Sequence, residues 1–371
     1  MILIKNAQVY APEKLGRRDV LLAGGRIELV AESIDCSLPG VEVIDAKDKI
    51  LTPGFIDQHV HVTGGGGEGG LHTRTPELTL SGAVKAGVTT LVGLLGTDGI
   101  TRSVENLVAK TKALNNEGIT AYCLTSAYNY PPTTVTGTVM RDIVYLQEVI
   151  GCKLAMGDHR SSHPTRDEVI RLASDVRMAG LVGGKAGVLH IHMGATNDGV
   201  DLLLDIVRTT DIPISTFRPT HLRRHVDAGV EFNRLGGYSD FTTGKALPPI
   251  LMDIWDKVDR SRITLSSDSN GSMPKWNENH EMIGIGVGKM TTLFKTVRAT
   301  IDLGMPLEEI LPTITSNVAD GLLLPHKGRV KAGCDADIVL LNEDLSIDSV
   351  FAKGRKMMEG SEVLVKGTFE D

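Results

Sequence analysis

A short apolar run near the N-terminus ends in two histidines: Gly54-Phe55-Ile56-Asp57-Gln58-His59-Val60-His61. Phe55, Ile56 and Val60 are apolar, and Thr52-Pro53-Gly54 before them reads as a turn, so the run is expected to be a buried strand. Side chains two apart on a strand point the same way. His59 and His61 therefore offer two imidazoles to one side, enough to begin a transition-metal site. Thr63-Gly64-Gly65-Gly66-Gly67-Glu68-Gly69-Gly70 follows. It lacks the Gly-Lys-Ser/Thr ending of a phosphate loop, and reads as backbone that passes close to a ligand. The plainer alternative is a structural or surface histidine pair.

From Gly54 the chain alternates strand, loop and helix. Strands are expected at 54–61, 88–93, 119–125, 151–156, 188–193, 213–217, 238–242 and 263–268. Helices are expected at 76–86, 104–116, 139–150, 165–180, 199–208, 250–258 and 289–303, with Thr165 and Glu168 as a capping box. Eight strands in this rhythm predict a (β/α)8 barrel, a TIM barrel of the α/β class. The rival is a doubly wound open sheet, but no Gly-x-Gly-x-x-Gly stands between a strand and a helix. Residues 1–50 read instead as short strands, with a hairpin at Gly24-Gly25. The tail returns to strands at 336–341, 347–352 and 356–358. The predicted organisation is a small β domain from 1–50 and 329–371 flanking a barrel at 51–328.

Composition excludes several functions. The formal net charge is -7 with no long basic run, so nucleic acid is not an expected partner. No apolar run reaches eighteen residues, so no membrane span is expected. Met1 to Asn6 start directly on a strand, without the pattern of a signal peptide. Cys36, Cys123, Cys152 and Cys334 are far apart, with no C-x-x-C. A cytoplasmic, enzyme-sized protein without disulfides is expected.

In a barrel the chemistry sits at the C-terminal strand ends. There the chain places His59 and His61, Lys153, His190 and His192, His221, and Asp268. Even with one of His190 and His192 set aside, four histidines and an aspartate exceed the needs of one tetrahedral ion and suit two divalent ions, zinc first, with cobalt or manganese also fitting. Paired cations need an anionic bridge, which a lysine supplies only after reacting with CO2 to a carbamate. Lys153 is the candidate for that modification (N6-carboxylysine); the plainer reading is a lysine that snorkels to solvent. His192, nearer the strand end, is preferred to His190, which is read as core or as support behind the ligands.

With these residues assembled, the chain resembles the amidohydrolase superfamily, and within it the isoaspartyl dipeptidases. The resemblance rests on Gly54 to Glu68, Gly93-Leu94-Leu95-Gly96-Thr97-Asp98, Ser126-Ala127-Tyr128, Asp158-His159-Arg160-Ser161, His192-Met193-Gly194, Pro219-Thr220-His221, Leu265 to Ser272, and Ala332 to Val339. It implies that His59, His61 and Asp268 hold the more buried metal. It implies that His192 and His221 hold the second, with carbamylated Lys153 and a hydroxide bridging the pair. Glu68 would meet the substrate ammonium. Arg160, Arg224 and Ser272 would bind carboxylates, with Thr97 close by, and Tyr128 would donate to the carbonyl oxygen. Asp268 would relay the proton. The family pattern has glycine where Ser269 stands. The implied reaction is hydrolysis of the β-aspartyl bond of a small dipeptide, by a homo-oligomer up to an octamer. Two alternatives remain: a cyclic amidohydrolase of the dihydroorotase or hydantoinase type, and a non-catalytic oligomeric scaffold. Glu68 separates the first, because a cyclic amide has no ammonium to pair; metal content separates the second.

Overall fold

The computed structural model describes residues 1–35, 39–279 and 281–370. Cys36, His280 and Asp371 lie outside them.

The N-terminal strands are β1 (Ile2–Tyr10), β2 (Lys14–Ala23), β3 (Arg26–Ala31), β4 (Glu42–Asp45) and β5 (Ile50–Pro53). Gly24 and Gly25 both have positive φ, 56° and 80°, as a tight hairpin between β2 and β3 requires. The barrel strands follow: β6 (Phe55–Val60), β7 (Val88–Gly93), β8 (Thr120–Thr125), β9 (Val149–Met156), β10 (Val188–Met193), β11 (Phe217–Thr220), β12 (Ser239–Thr242) and β13 (Ile263–Ser266). A hairpin, β14 (Ser272–Trp276) and β15 (Met282–Val287), comes next. The tail supplies β16 (Ile338–Leu341), β17 (Ile347–Ala352), β18 (Arg355–Glu359) and β19 (Glu362–Val363).

Among the described residues, two large sheets and two strand pairs, β12-β13 and β14-β15, organise these strands. The first runs β19-β18-β17-β16-β5-β1-β2-β3, with β4 also on β1, so both ends of the chain share it. The join is the antiparallel register Leu340↔Leu51. Ile4, Val9, Val20, Leu22, Ile27, Leu51, Ile338 and Phe351 form the apolar core of this sheet.

The second sheet is a curled, parallel β6 to β11, and β12 pairs with β13. Side chains complete the closure. Thr220 Oγ1 donates to Asp240 Oδ2 at 2.6 Å, tying β11 to β12. Gln58 Nε2 donates to Asp240 Oδ1 and Thr264 Oγ1 at 2.6 and 2.7 Å, tying β6 to β12 and β13. Val60 bridges to Ser269, just beyond β13. Buried Asp57 accepts from Ser267 N at 3.1 Å and from its hydroxyl. A carboxylate buried this deeply in a barrel is tolerated only because donors surround it.

The helices pack outside: α1 (Leu80–Lys85), α2 (Val104–Glu117), α3 (Val139–Tyr145), α4 (Arg166–Gly183), α5 (Asn197–Thr209), α6 (Val226–Arg234), α7 (Leu247–Ile254) and α8 (Thr292–Asp302). The capping box of Thr165 and Glu168 opens α4, and left-handed Gly184, φ 62°, ends it four residues beyond the expected stop. α3 stops at Tyr145, because Leu146 turns extended and β9 takes Val149 and Ile150. The sixth barrel strand starts later than expected. Residues 214–216 form a short 3-10 turn, and Phe217–Thr220 pair with Leu189–His192. That shift puts His221 directly at a strand end. Among the described residues, no helix is long and apolar enough to cross a membrane.

Candidate active site

At the C-terminal ends of the barrel strands lies a cavity of about 320 Å³. His61, Glu68, Thr97, Tyr128, Arg160, His192, His221, Arg224, Asp268 and Ser272 all line it. The barrel thus gathers one polar residue or more from strand ends spread over two hundred positions.

His59, His61 and Asp268 offer ligand atoms that lie within 4.8 Å of one another. Asp268 Oδ1 is 3.3 Å from His59 Nε2 and 3.1 Å from His61 Nε2. Asp268 sits in the left-handed region, φ 55°, a strained conformation of the kind that clusters at functional sites. Glycines make room for the His61 ring. A Cβ at Gly96 or at Gly271 would stand 2.8 Å from that ring, closer than real contacts allow. Ser269 meanwhile holds its hydroxyl on Asn270 Oδ1 at 2.7 Å, and the left-handed residues are its neighbours Asp268 and Asn270.

Burial, reinforced by the charge of Lys153, pushes His59 down to about 3. Burial likewise lowers His192 to about 4, and holds His190 and His221 well below the usual imidazole range. These rings are neutral at physiological pH, the form that binds metal. Asp268 stays ionised: burial opposes this, but the contacts from His59 and His61 outweigh it.

Lys153 on β9 lies opposite His190 in the ladder with β10. Its side chain is fully buried, and among the described residues its Nζ has no hydrogen-bond partner. Burial brings it down to about 7, against the pull of Asp268 and Asp240. An amine in this state is unusual, since a buried lysine normally finds a partner or reaches water.

The two histidines of β10 separate clearly. His190 Nε2 lies 2.9 Å from His59 Nδ1, behind the cluster and outside the cavity wall. His192 faces the cavity. Its Nε2 donates to Asp158 Oδ2 at 2.9 Å, and its Nδ1 accepts from the Tyr128 hydroxyl at 2.7 Å. His221 stands beside both, with ring centroids 4.5 Å from His192 and 5.0 Å from His59, and its Nδ1 meets Thr242 Oγ1 at 2.5 Å.

The other wall is a recognition cluster. Glu68 Oε1 accepts from Ser272 Oγ at 2.6 Å, Arg160 Nη1 at 3.1 Å and Thr97 Oγ1 at 3.2 Å. Glu68 Oε2 is buried and has no hydrogen-bond partner among the described residues. Arg224 Nη1 donates to the Met193 carbonyl at 3.0 Å.

Asp158, to which no sequence motif assigns a role, joins the two walls. It accepts from Arg160 Nε and Nη2 at 2.9 and 2.8 Å, as well as from His192. Burial would raise its pKa, but these bonds hold it well below the carboxylate range. Its only sequence signal was its place two residues before Arg160; nothing local tied it to His192, thirty-four positions on.

Residues 159–357, more than half of the 371-residue chain, match the model of the amidohydrolase family. The chain belongs to the amidohydrolase family. Among solved structures, this amidohydrolase is similar to the β-aspartyl dipeptidase of Fervidobacterium islandicum in complex with the β-Asp-Leu dipeptide. The two are 41% identical, with a TM-score of 0.94 over 98% of this chain and 97% of the other. A dihydropyrimidinase from Brevibacillus agri shares the fold at 16% identity, with a TM-score of 0.68 over 98% of this chain and 96% of that one. Among curated relatives, a dihydroorotase from Staphylococcus epidermidis is 36% identical over 107 residues. That segment is 29% of this amidohydrolase and 24% of the dihydroorotase, so the match spans about a quarter of the relative's length.

Proposed function

We propose that this amidohydrolase is a metal-dependent β-aspartyl dipeptidase, cleaving the isoaspartyl bond of dipeptides. The observation that carries the reading is Glu68: a buried carboxylate with one free oxygen, ringed by Arg160, Ser272 and Thr97. A free-amine dipeptide brings an ammonium for that oxygen and carboxylates for the arginines. The likeness to the F. islandicum dipeptidase over nearly the whole chain supports it.

The donor set fits two divalent ions. His59, His61 and Asp268 form one ligand group. His192 Nδ1 and His221 supply the second, and the orphaned, partly neutral Nζ of Lys153 suits carbamylation to a bridging anion. When bound, zinc ions would supply an acidified water as nucleophile and Lewis-acid polarisation of the scissile carbonyl.

The chain's own groups then have clear tasks. Asp268, held ionised, takes the proton released on attack and passes it to the leaving nitrogen. Tyr128 stays protonated because burial raises its pKa, so its hydroxyl can turn from His192 to the carbonyl oxygen. Glu68 holds the ammonium, while Arg160, Arg224, Ser272 and Thr97 orient the carboxylates. Domains at 1–50 with 329–371 and at 51–328, homo-oligomeric assembly and a cytoplasmic location belong to the same proposal; light scattering and cell fractionation test the last two.

The dihydroorotase segment motivates a second reading, a cyclic amidohydrolase. A paired assay separates the two. The zinc-loaded protein in bicarbonate buffer is expected to hydrolyse β-Asp-Leu, and to leave α-Asp-Leu and dihydroorotate intact. Turnover of dihydroorotate alone would replace the dipeptidase reading. A protein that binds no metal and cleaves nothing would be a scaffold.

Asp158 has a place here as a positioning residue. A carboxylate behind a metal-binding histidine orients the ring, and its loss weakens metal affinity about 10–100-fold. Asp158→Ala is therefore expected to weaken the ion that His192 would hold by that factor and to raise KM through a loosened Arg160. Cobalt titration followed by its visible absorption reads the first effect. Unchanged affinity and KM would leave Asp158 without this role.

A further inference from the structure

We propose that this enzyme prefers β-aspartyl dipeptides whose leaving residue is acidic, and that Arg223 sets the preference. The proposal rests on the dipeptidase reading, and takes it to the identity of the leaving residue. The cavity carries three guanidinium groups, Arg160, Arg223 and Arg224. Arg160 pairs with Asp158 at 2.8 Å and with Glu68 at 3.1 Å; as the substrate ammonium takes Glu68, the aspartyl carboxylate takes its place on Arg160. Arg223 and Arg224 follow His221 in one short turn, Leu222–Arg224. Among the described residues, Arg224 reaches only the Met193 carbonyl, and Arg223 has no hydrogen bond or ion pair. Arg223 Nη1 extends beside Gly244, just past β12.

The charge count then points one way. The aspartyl half of a substrate, with one ammonium and one carboxylate, matches Glu68 and Arg160. The leaving half always brings its C-terminal carboxylate, which takes one of the two uncompensated arginines. The other arginine stays unmatched unless the leaving side chain is itself anionic. Two adjacent like charges at a cavity wall repel, so a second carboxylate relieves both. The simpler account is that Arg223 is a solvated surface charge, and the experiment below distinguishes it.

β-Asp-Glu and β-Asp-Gln differ in charge but hardly in shape. Their kcat/KM ratio is expected to be about fivefold in favour of β-Asp-Glu at about 0.01 M salt, the scale of one exposed ion pair, and to shrink at about 1 M. The ratio is expected to fall to about one in Arg223→Met, and to be partly kept in Arg223→Lys. Equal rates on both dipeptides with the unaltered protein, or a ratio that survives Arg223→Met, overturns the assignment and leaves the dipeptidase reading standing. Failure to cleave any β-aspartyl dipeptide overturns that reading, and the assignment with it.

Discussion

Lys153→Ala is expected to lose one metal ion per chain and nearly all turnover. Among the described residues, the Lys153 Nζ is fully buried beside the histidines and aspartate of the site and has no hydrogen-bond partner. As a carbamate it would supply the anion that lets two cations share the site. Without it, mutual repulsion favours loss of the second ion, and the carbonyl loses its polarisation. The expected fall in kcat is about a thousandfold or more, equivalent to ~4 kcal/mol of transition-state stabilisation. Metal analysis of purified protein gives the first readout. Added acetate or formate gives the second, because a small carboxylate in the space left by the side chain is expected to restore part of the activity. Lys153→Met keeps the apolar stem and controls for folding. A variant with two ions and ordinary turnover would end the carbamate proposal.

The same lysine predicts a pH dependence. CO2 reacts only with the neutral amine, and burial brings Lys153 down to about 7. The neutral form is lost as pH falls below that value, so about a tenth remains at pH 6 and about nine tenths stand ready at pH 8. His59 and His192, near 3 and 4, are already neutral across this window. Reactivation of stripped enzyme by zinc at fixed dissolved CO2 is therefore expected to be about tenfold faster at pH 8 than at pH 6.

Glu68→Gln is expected to lower kcat/KM on β-Asp-Leu by about a hundredfold or more. The amide keeps an acceptor for Ser272, Arg160 and Thr97 but loses the negative charge that the ammonium needs. Removing one partner of a desolvated charge pair costs about 2–5 kcal/mol, and Glu68 Oε2 is buried without a competing donor. An N-acetylated dipeptide has no ammonium, so its already slow hydrolysis is expected to change less than about threefold. Equal losses on both substrates would mean that Glu68 supports the wall rather than reads the amine.

Much of the site was legible because its information is local. Period-two spacing put His59 and His61 on one side of a strand, and the solitary Lys153 in an apolar strand marked itself. The position of His192 above His190 was also local, since it follows from which rung is nearer the strand end. Asp158 was not legible, because its two partners come from its own loop and from β10. Nor was the sixth strand's start: residues 213–217, with Ile214, Thr216 and Phe217, look like a strand, and only pairing with β10 moved the ladder to Phe217–Thr220.

The sequence by itself determined the rhythm of strands and helices and the chemical types at the strand ends, because both arise from periodicity and side-chain identity within a few residues. Only the tertiary structure decided that the Nδ1 of His192 meets Tyr128 and its Nε2 Asp158, that three donors converge on one oxygen of Glu68, and that Arg223 stands without a counter-charge among the described residues. These are matters of direction and distance between residues far apart in the chain. Barrel closure sets them, and closure itself depends on contacts such as Gln58 with Asp240, 182 positions apart.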